Sequence, residues 1–375
     1  MKKFLTLLAI IIALWVYMGR GGTDHTLQGT LGEFKDKIQQ LSKDPDLQNT
    51  LESVSFELKS LAAKLGNNSK GGTDNSELVP TAEKPKLTTP AQHVFSIYNL
   101  ELGDSRANAE KQLGAPKRSS INEYGLKWYS YHKNYQNFVM AAYDKDNRIA
   151  ALYTDQDLIS SSKGIKLGTQ QSAAEKALGT PLTKIQKGFA FYLLPKDKEY
   201  DMYLLDDSYA TIFYDKHQNN TVTALQLIRK DIEREKKDYY TKPSKSLIQG
   251  FEAQLFDLTN ASRVVHGLRP LTWDERIKGT AEKHSDDMAV HNFFDHTNLK
   301  GQSPFDRMHN DHIYFSVAGE NIAYGQMSSI FAHEGLMNSL GHRENILKPD
   351  FERLGVGVAF NSQSQPYYTE NFYTK

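Results

Sequence analysis

Apolar positions follow several distinct rhythms along the chain. From Phe4 to Met18 they run with only Thr6 between them, with Lys2-Lys3 before them and the next charge at Arg20. Fifteen helical residues span ~22 Å, against a hydrocarbon core of ~30 Å. The run therefore lies between a signal-peptide core and a short membrane span. Bulky Trp15, Val16, Tyr17 and Met18 end it where a cleavage site would need small residues. Interfacial Trp and Tyr behind a Lys pair fit an uncleaved anchor with a cytoplasmic N-terminus. We read residues 1–20 as that anchor, with a removed signal peptide as the alternative. The anchor predicts a single-pass cell-membrane protein whose bulk is extracytoplasmic; cleavage would make it secreted.

Between residues 21 and 92 the apolar spacing turns intermittently helical, through Phe34, Ile38 and Leu41, then Leu47, Leu51, Val54, Leu58, Leu61 and Leu65. Asp44-Pro45-Asp46 breaks the pattern, and fewer than three clean heptads remain, too few for a coiled coil. A solvated stalk fits this stretch, and its end, from Gly66 to Pro90, has the Asn/Ser/Gly/Pro/Lys composition of a linker.

Residues 93–232 carry an internal repeat. Leu102-Gly103 and Ala109-Glu110-Lys111-x-Leu113-Gly114-x-Pro116 recur as Leu167-Gly168 and Ala174-Glu175-Lys176-x-Leu178-Gly179-x-Pro181. Each copy predicts a short helix ended by Gly and Pro. Alternating runs follow, Lys127-Trp128-Tyr129-Ser130-Tyr131 in one copy and Phe189-Ala190-Phe191-Tyr192-Leu193 in the other, and these read as strands. Later landmarks drift apart, so the second copy is longer, and a hairpin loop at Pro195-Lys196-Asp197-Lys198 is the expected place. The block reads as a pseudo-symmetric α+β domain able to fold alone, with strand aromatics as packing rather than ligand positions. A charged connector, 233–246, leads to the last domain, 247–375.

There the helical period returns. Ile248, Phe251, Leu255, Leu258 and Val265 mark one helix, and Ile277, Ala281, His284, Met288 and His291 a second after Trp273-Asp274. His284 lies on the second buried stripe and reads as a core residue. His291, His309 and His312 read as surface residues. His333-Glu334 lacks the second histidine of a zinc-peptidase helix, because Met337 stands in its place. The pair is expected on an amphipathic helix running to Ser339, which Gly341 lets end sharply with His342 at its end.

Composition narrows the class of function. Lys plus Arg and Asp plus Glu each number 45, so neither a nucleic-acid surface nor an acidic solvating tail is indicated. Cysteine is absent, which excludes thiol catalysis, thiolate metal sites and disulfides. Histidine, by contrast, is concentrated between His284 and His342. Within that stretch Phe293-Phe294-Asp295-His296, Gly319-Glu320-Asn321 and Gly341-His342-Arg343 have the residue types of a small polar site.

The words around these residues resemble the CAP superfamily (cysteine-rich secretory proteins, antigen 5 and pathogenesis-related 1) in a cysteine-free bacterial form. The matching pieces include Asn260-x-x-Arg263, Pro270-Leu271-x-Trp273-Asp274, Phe294-x-His296, Gly301-x-Ser303-Pro304-Phe305-x-Arg307 and Gly319-Glu320-Asn321-Ile322-Ala323. Met337-Asn338-Ser339-x-Gly341-His342-Arg343, Leu354-Gly355-Val356-Gly357 and Tyr367-Tyr368-Thr369-x-Asn371-Phe372 complete the set. The block before it resembles the small domain that precedes CAP domains in some bacterial membrane proteins. The resemblance implies an α+β protein: a C-terminal α-β-α sandwich behind the two-repeat α+β domain. It implies a cleft where two histidines and two acids can bind divalent metal. His296, Glu320 and His342 match three of the four, whereas Leu336 replaces the family's tryptophan and Ser339 its second acid. Zinc with a water in the fourth position is the cofactor so implied.

Two functions remain open on the sequence. One is a non-catalytic envelope module that binds a small apolar ligand, a cell-wall component or a protein partner. The other is a hydrolase acting on peptide or cell-wall substrates, through metal-bound water or through Ser339 with His342 and Glu320.

Overall fold

A computed structural model describes residues 82–194 and 199–375. The expected anchor, nearly all of the stalk and the loop Pro195–Lys198 lie outside these residues. Among the described residues no helix is long and apolar enough to cross a membrane. Val79–Lys375 form one compact unit.

The end of the expected linker is not free. Residues 82–92 lie along the first repeat, with Ala82 N donating to Gln136 Oε1 at 2.7 Å. The Glu101 carboxylate accepts from the backbone N–H groups of Ala91, Gln92 and His93. Burial would raise its pKa, yet these three donors hold it below the usual glutamate range.

After β1 (Phe95–Ile97), the first repeat runs α1 (Arg106–Leu113), β2 (Arg118–Ile121), β3 (Lys127–Lys133), β4 (Gln136–Tyr143), β5 (Ile149–Thr154) and β6 (Ile159–Ser161). The second runs α2 (Gln171–Leu178), β7 (Lys184–Lys187), β8 (Ala190–Leu193), β9 (Tyr200–Leu205), β10 (Ser208–Asp215) and β11 (Thr221–Arg229). Both helices end as their sequence predicts: Gly114 and Gly179 take positive φ and return their N–H groups to Glu110 and Glu175. Seven strands form one antiparallel sheet in the order β2-β3-β4-β5-β11-β10-β9, and the copies join where β5 pairs with β11. The second copy departs from the expected pattern. Phe189–Leu193 is no core strand, because β8 pairs only with β7 in a small hairpin that leaves Phe189, Phe191 and Leu193 exposed. Tyr200–Leu205 takes the place that Lys127–Lys133 holds in the first copy.

Both faces of this sheet are covered, which explains why β4 and β5 are apolar at almost every position. Val139, Ala141, Tyr143 and Leu152 pack with Ala109 and Ala174 of the repeat helices. Phe138, Met140, Ala142 and Tyr153 point the other way, against helices of the last domain.

That domain begins, after α3 (Lys230–Glu235), with α4 (Lys245–Val265), β12 (Thr272–Trp273), α5 (Glu275–His291) and α6 (Pro304–Asn310). It continues with β13 (Val317–Tyr324), α7 (Ser329–Asn338), α8 (Leu340–Ile346), β14 (Arg353–Phe360) and β15 (Pro366–Thr374). The sheet order is β12-β14-β15-β13, which leaves β13 at an edge. Leu354, Val356 and Val358 meet α4 and α7 on one face. On the other, Gly355 and Gly357 let α5 approach so closely that an added Cβ would lie 2.2 Å from Lys278 N and 2.1 Å from Glu282 N. This is an α-β-α sandwich.

Two expectations about α7 and α8 need correction. Helix α7 is not amphipathic: His333 and Glu334 are buried along with Ile330 and Ala332, because the helix lies between α4 and the repeat sheet. The chain turns at Ser339, whose backbone is extended and belongs to both helix ends, while Gly341 is helical. His342 thus begins α8 instead of ending α7.

Candidate functional site

The three candidate residues come from three elements that meet around the free edge of β13. Glu320 projects from β13 toward α5. His296 sits in the loop after α5, and His342 lies in the first turn of α8, across the sheet. Asn345 Nδ2 donates to the Glu320 backbone carbonyl at 3.2 Å and to Asn321 Oδ1 at 2.9 Å, while Asn321 Nδ2 donates to the His342 carbonyl at 3.1 Å. These amides dock α8 on the strand and fix His342 beside it.

Glu320 is buried, and both of its oxygens are engaged. His296 Nδ1 donates to Oε1 at 2.9 Å, and Arg307 Nη2 donates to Oε2 at 2.6 Å. Arg307 is itself buried, and its Nη1 donates to the carbonyls of His296 and Gln302 at 2.7 and 3.0 Å. One guanidinium thus holds both the carboxylate and the loop carrying the histidine. The His296 side chain is 47% exposed, so its remaining nitrogen is presented to solvent. Its ring centroid lies 6.5 Å from that of His342. Burial, and then the neighbouring His296, hold the His342 pKa below the usual histidine value. The Nδ1 of His342 shares a hydrogen bond of 2.8 Å with Ser339 Oγ.

Two participants carried a visible signal that gave them no role in the sequence reading. Arg307 belongs to a capping box: Ser303 Oγ accepts from Asp306 N, Asp306 accepts from Ser303 N, and Pro304 opens the helix. That Ser-Pro-x-Asp start places Arg307 in the first turns of α6, facing Glu320. His284 is the buried residue expected, yet it also lines the site, 3.9 Å from Glu320 Oε1 with its Nε2 donating to the Asp295 carbonyl at 3.0 Å. Burial lowers its pKa, so it faces Glu320 as a neutral ring and forms no ion pair. His291, His309 and His312 are exposed, as expected.

Among the described residues no group of three or more His, Asp or Glu side chains is arranged to hold a metal ion. The reason is local. Zinc would have to displace Arg307 or His296 from Glu320, so the carboxylate is not free to serve as the third ligand, although each imidazole keeps its Nε2. The residues as arranged do not fit the three-ligand zinc centre expected for His296, Glu320 and His342.

With this geometry in view, the comparisons with known proteins are specific. Residues 256–372 match the cysteine-rich secretory protein family, and residues 102–239 match the CAP-associated N-terminal domain. The chain carries a CAP domain behind a CAP-associated N-terminal domain, without cysteine. It is 27% identical over 331 residues to a Bacillus subtilis protein named uncharacterized membrane protein YlbC, covering 84% of this chain and 92% of the relative. It is 40% identical over 135 residues to B. subtilis YkwD, covering 36% of this chain and 51% of that one. Among solved structures, an extracellular SCP-domain protein of Bacillus anthracis matches 78% of this chain and all of its own, at 25% identity and a TM-score of 0.64. A cysteine-rich secretory protein of Staphylococcus aureus matches 73% of this chain and 91% of its own, at 17% identity and a TM-score of 0.57, which shows the fold alone.

Proposed function

We propose that this protein is a non-catalytic binding module of the cell envelope, anchored through residues 1–20, with its ligand held at the His296–Glu320–His342 cleft. The observation that carries this reading is the pairing of an exposed imidazole with a buried carboxylate that Arg307 locks from behind. Such a group is rigid, reachable and able to donate or accept through one free nitrogen, which suits recognition of a small polar ligand or the polar end of a cell-wall component. It lacks the order that hydrolysis needs. Glu320 orients His296 and Ser339 contacts His342, and among the described residues neither imidazole joins a nucleophile to an acid. The chemistry of the free imidazole nitrogens also allows a loose divalent ion as part of the ligand.

The full-length protein extracted in detergent and purified without added metal tests the reading. Mass spectrometry of what travels with it should find a small molecule that His296→Ala and His342→Ala release. Retention of that molecule by both variants would remove the cleft from consideration.

One contact favours the hydrolase reading as a second possibility: the 2.8 Å Ser339–His342 bond. A fluorophosphonate probe should leave the protein unlabelled on the binding account. Labelling at Ser339, lost in Ser339→Ala, would make it a serine hydrolase.

A further inference from the structure

A cavity of about 340 Å³ opens between α5 and α6, with His284 and Arg307 among its lining residues. It is large enough for a small ligand, and most of the residues that line it are polar. Two buried side chains line it that the cleft only half uses. Arg307 leaves Nε without a partner, although both of its terminal nitrogens are engaged. His284 leaves Nδ1 without a partner, although Nε2 serves the Asp295 carbonyl. An orphaned buried donor costs roughly 1–3 kcal/mol, and two orphaned nitrogens on one wall mark a place where something polar is missing. With Nε2 carrying its proton, His284 Nδ1 is an acceptor, whereas Arg307 Nε is a donor. The wall therefore asks for a group that offers both.

The rim adds charge of both signs. Lys283 is spent on Asp311, at 2.6 Å, and His291 on Asp287, at 3.0 Å. Lys300 and Asp286 remain, exposed at the rim and without a partner among the described residues. A ligand of one sign would gain from one of these and be repelled by the other. A ligand with separated positive and negative ends would satisfy both, and its amide would match the orphaned donor and acceptor. We propose that this cavity is a second binding site, for a zwitterion of the short-peptide class, and that Arg307 reports its occupancy to Glu320. The reporting follows from the guanidinium itself, one plane that carries both the buried, unpartnered Nε and the Nη2 bonded to Glu320. Drawing Nε toward a ligand must reorient the Glu320 carboxylate and so the imidazole of His296. The site rests on observations separate from the cleft reading, and it stands or falls with the cleft residues left intact.

Titration of the full-length protein with alanyl-alanine, followed by the histidine ring signals in NMR, tests this. The His284 ring should shift saturably, and the His296 ring should move with it. Acetate and methylamine, each carrying one charge, should produce no saturable change at the same concentrations. Asp286→Asn and Lys300→Gln alter exposed side chains only. Each should weaken dipeptide binding about tenfold, as expected for losing one partly desolvated charge contact of ~1.4 kcal/mol. The absence of a saturable shift, equal binding of acetate, or binding unchanged in both variants would overturn the site. A His284 response without one at His296 would overturn the link through Arg307.

Discussion

Histidine and glutamate cluster twice in this molecule, once at the cleft and once in the seam between its two domains. The outcomes differ completely. At the cleft, Glu320 has a cationic partner in Arg307 and an imidazole open to water. In the seam, Glu334 accepts from Tyr153 OH at 2.6 Å, and Ser262 Oγ donates to Asp155 Oδ2 at 3.2 Å while sharing a 2.8 Å bond with His333 Nε2. Among the described residues no cation is hydrogen-bonded to Glu334 or Asp155, and all these groups are buried. Burial pushes Glu334 up to about 8 and Asp155 up to about 7, and holds His333 down to about 3. Below neutral pH this cluster is therefore close to uncharged, although ion pairs join the two domains nearby, Arg343 with Asp215 at 2.9 Å and Arg118 with Asp257 at 3.1 Å. The same residue types make a reachable polar site where a guanidinium bonds the acid, and a buried cluster that favours the neutral acid where no cation bonds it.

The most direct way to break the comparison is to separate the domains. Without α4 and α7, Trp128, Phe138, Met140, Tyr153 and Phe213 would face water, an apolar patch larger than a soluble domain tolerates. A fragment covering residues 93–232 is expected to aggregate or to lack near-ultraviolet circular dichroism, contrary to the independent folding that its repeat suggests. A cooperative, monomeric fragment would show that the seam is only a contact. A single substitution probes the same joint. A Cβ on Gly250 of α4 would lie 2.0 Å from the Ile121 carbonyl, on the other domain. Gly250→Ala should cost about 3 kcal/mol or more in urea unfolding.

The next effect belongs to the cleft. Glu320→Ala leaves Arg307 buried without its anion, and breaking such a pair costs roughly 3–5 kcal/mol. Glu320→Gln keeps one acceptor and should cost less. Equal stability of Glu320→Ala and the parent would show that Arg307 finds another partner and that the carboxylate is not part of the fold.

Much of this was legible in the sequence, and what escaped did so for physical reasons. The repeat, the helix-ending Gly114 and Gly179, and the convergence of His296 and Glu320 follow from local signals or motif order. The fully apolar strands β4 and β5 also announced cover on both faces, but nothing in their residues said that one cover was another domain. Helix α7 misled for the same reason: His333 and Glu334 look like a polar face until the seam buries them. Arg307 was visible in its capping box. Its role was not, because the contact with Glu320 joins two elements that spacing alone does not orient.

A smaller effect tests the protonation of the seam. The folded pKa values of Glu334 and Asp155 lie above those of the free side chains, so the folded state holds these protons longer. Their contribution is complete below about pH 4 and is lost as pH rises toward 8. His333 works in the opposite direction. Its folded pKa is depressed, so stability falls as pH drops from about 6.5 toward 3. Measured by urea unfolding, stability should peak on the acid side of neutrality and decline on the alkaline limb. Glu334→Gln keeps a group able to bond Tyr153 but cannot ionise, and it should flatten that limb by roughly 1–3 kcal/mol between pH 6 and 9. An unchanged slope would mean that Glu334 is ionised in the folded protein.

The smallest change in stability should come from His296, and there the comparison is sharpest. Its side chain is half exposed and its bond to Glu320 lies at the surface, so His296→Ala removes little packing and leaves no buried donor behind. The carboxylate keeps Arg307, and water can take the place of the imidazole. Unfolding free energy should change by less than about 0.5 kcal/mol, as for surface substitutions generally. His333→Ala gives the contrast within the same residue type, because it opens a cavity in the seam and leaves Ser262 short of a donor, for a loss of roughly 2 kcal/mol or more. If the two alanine variants are equally destabilised, His296 is a brace of the fold like His333, and the cleft loses its standing as a place for a ligand. If only His333→Ala is destabilised while His296→Ala releases the molecule that travels with the protein, the two clusters have separate duties, one joining the domains and the other meeting what lies outside them.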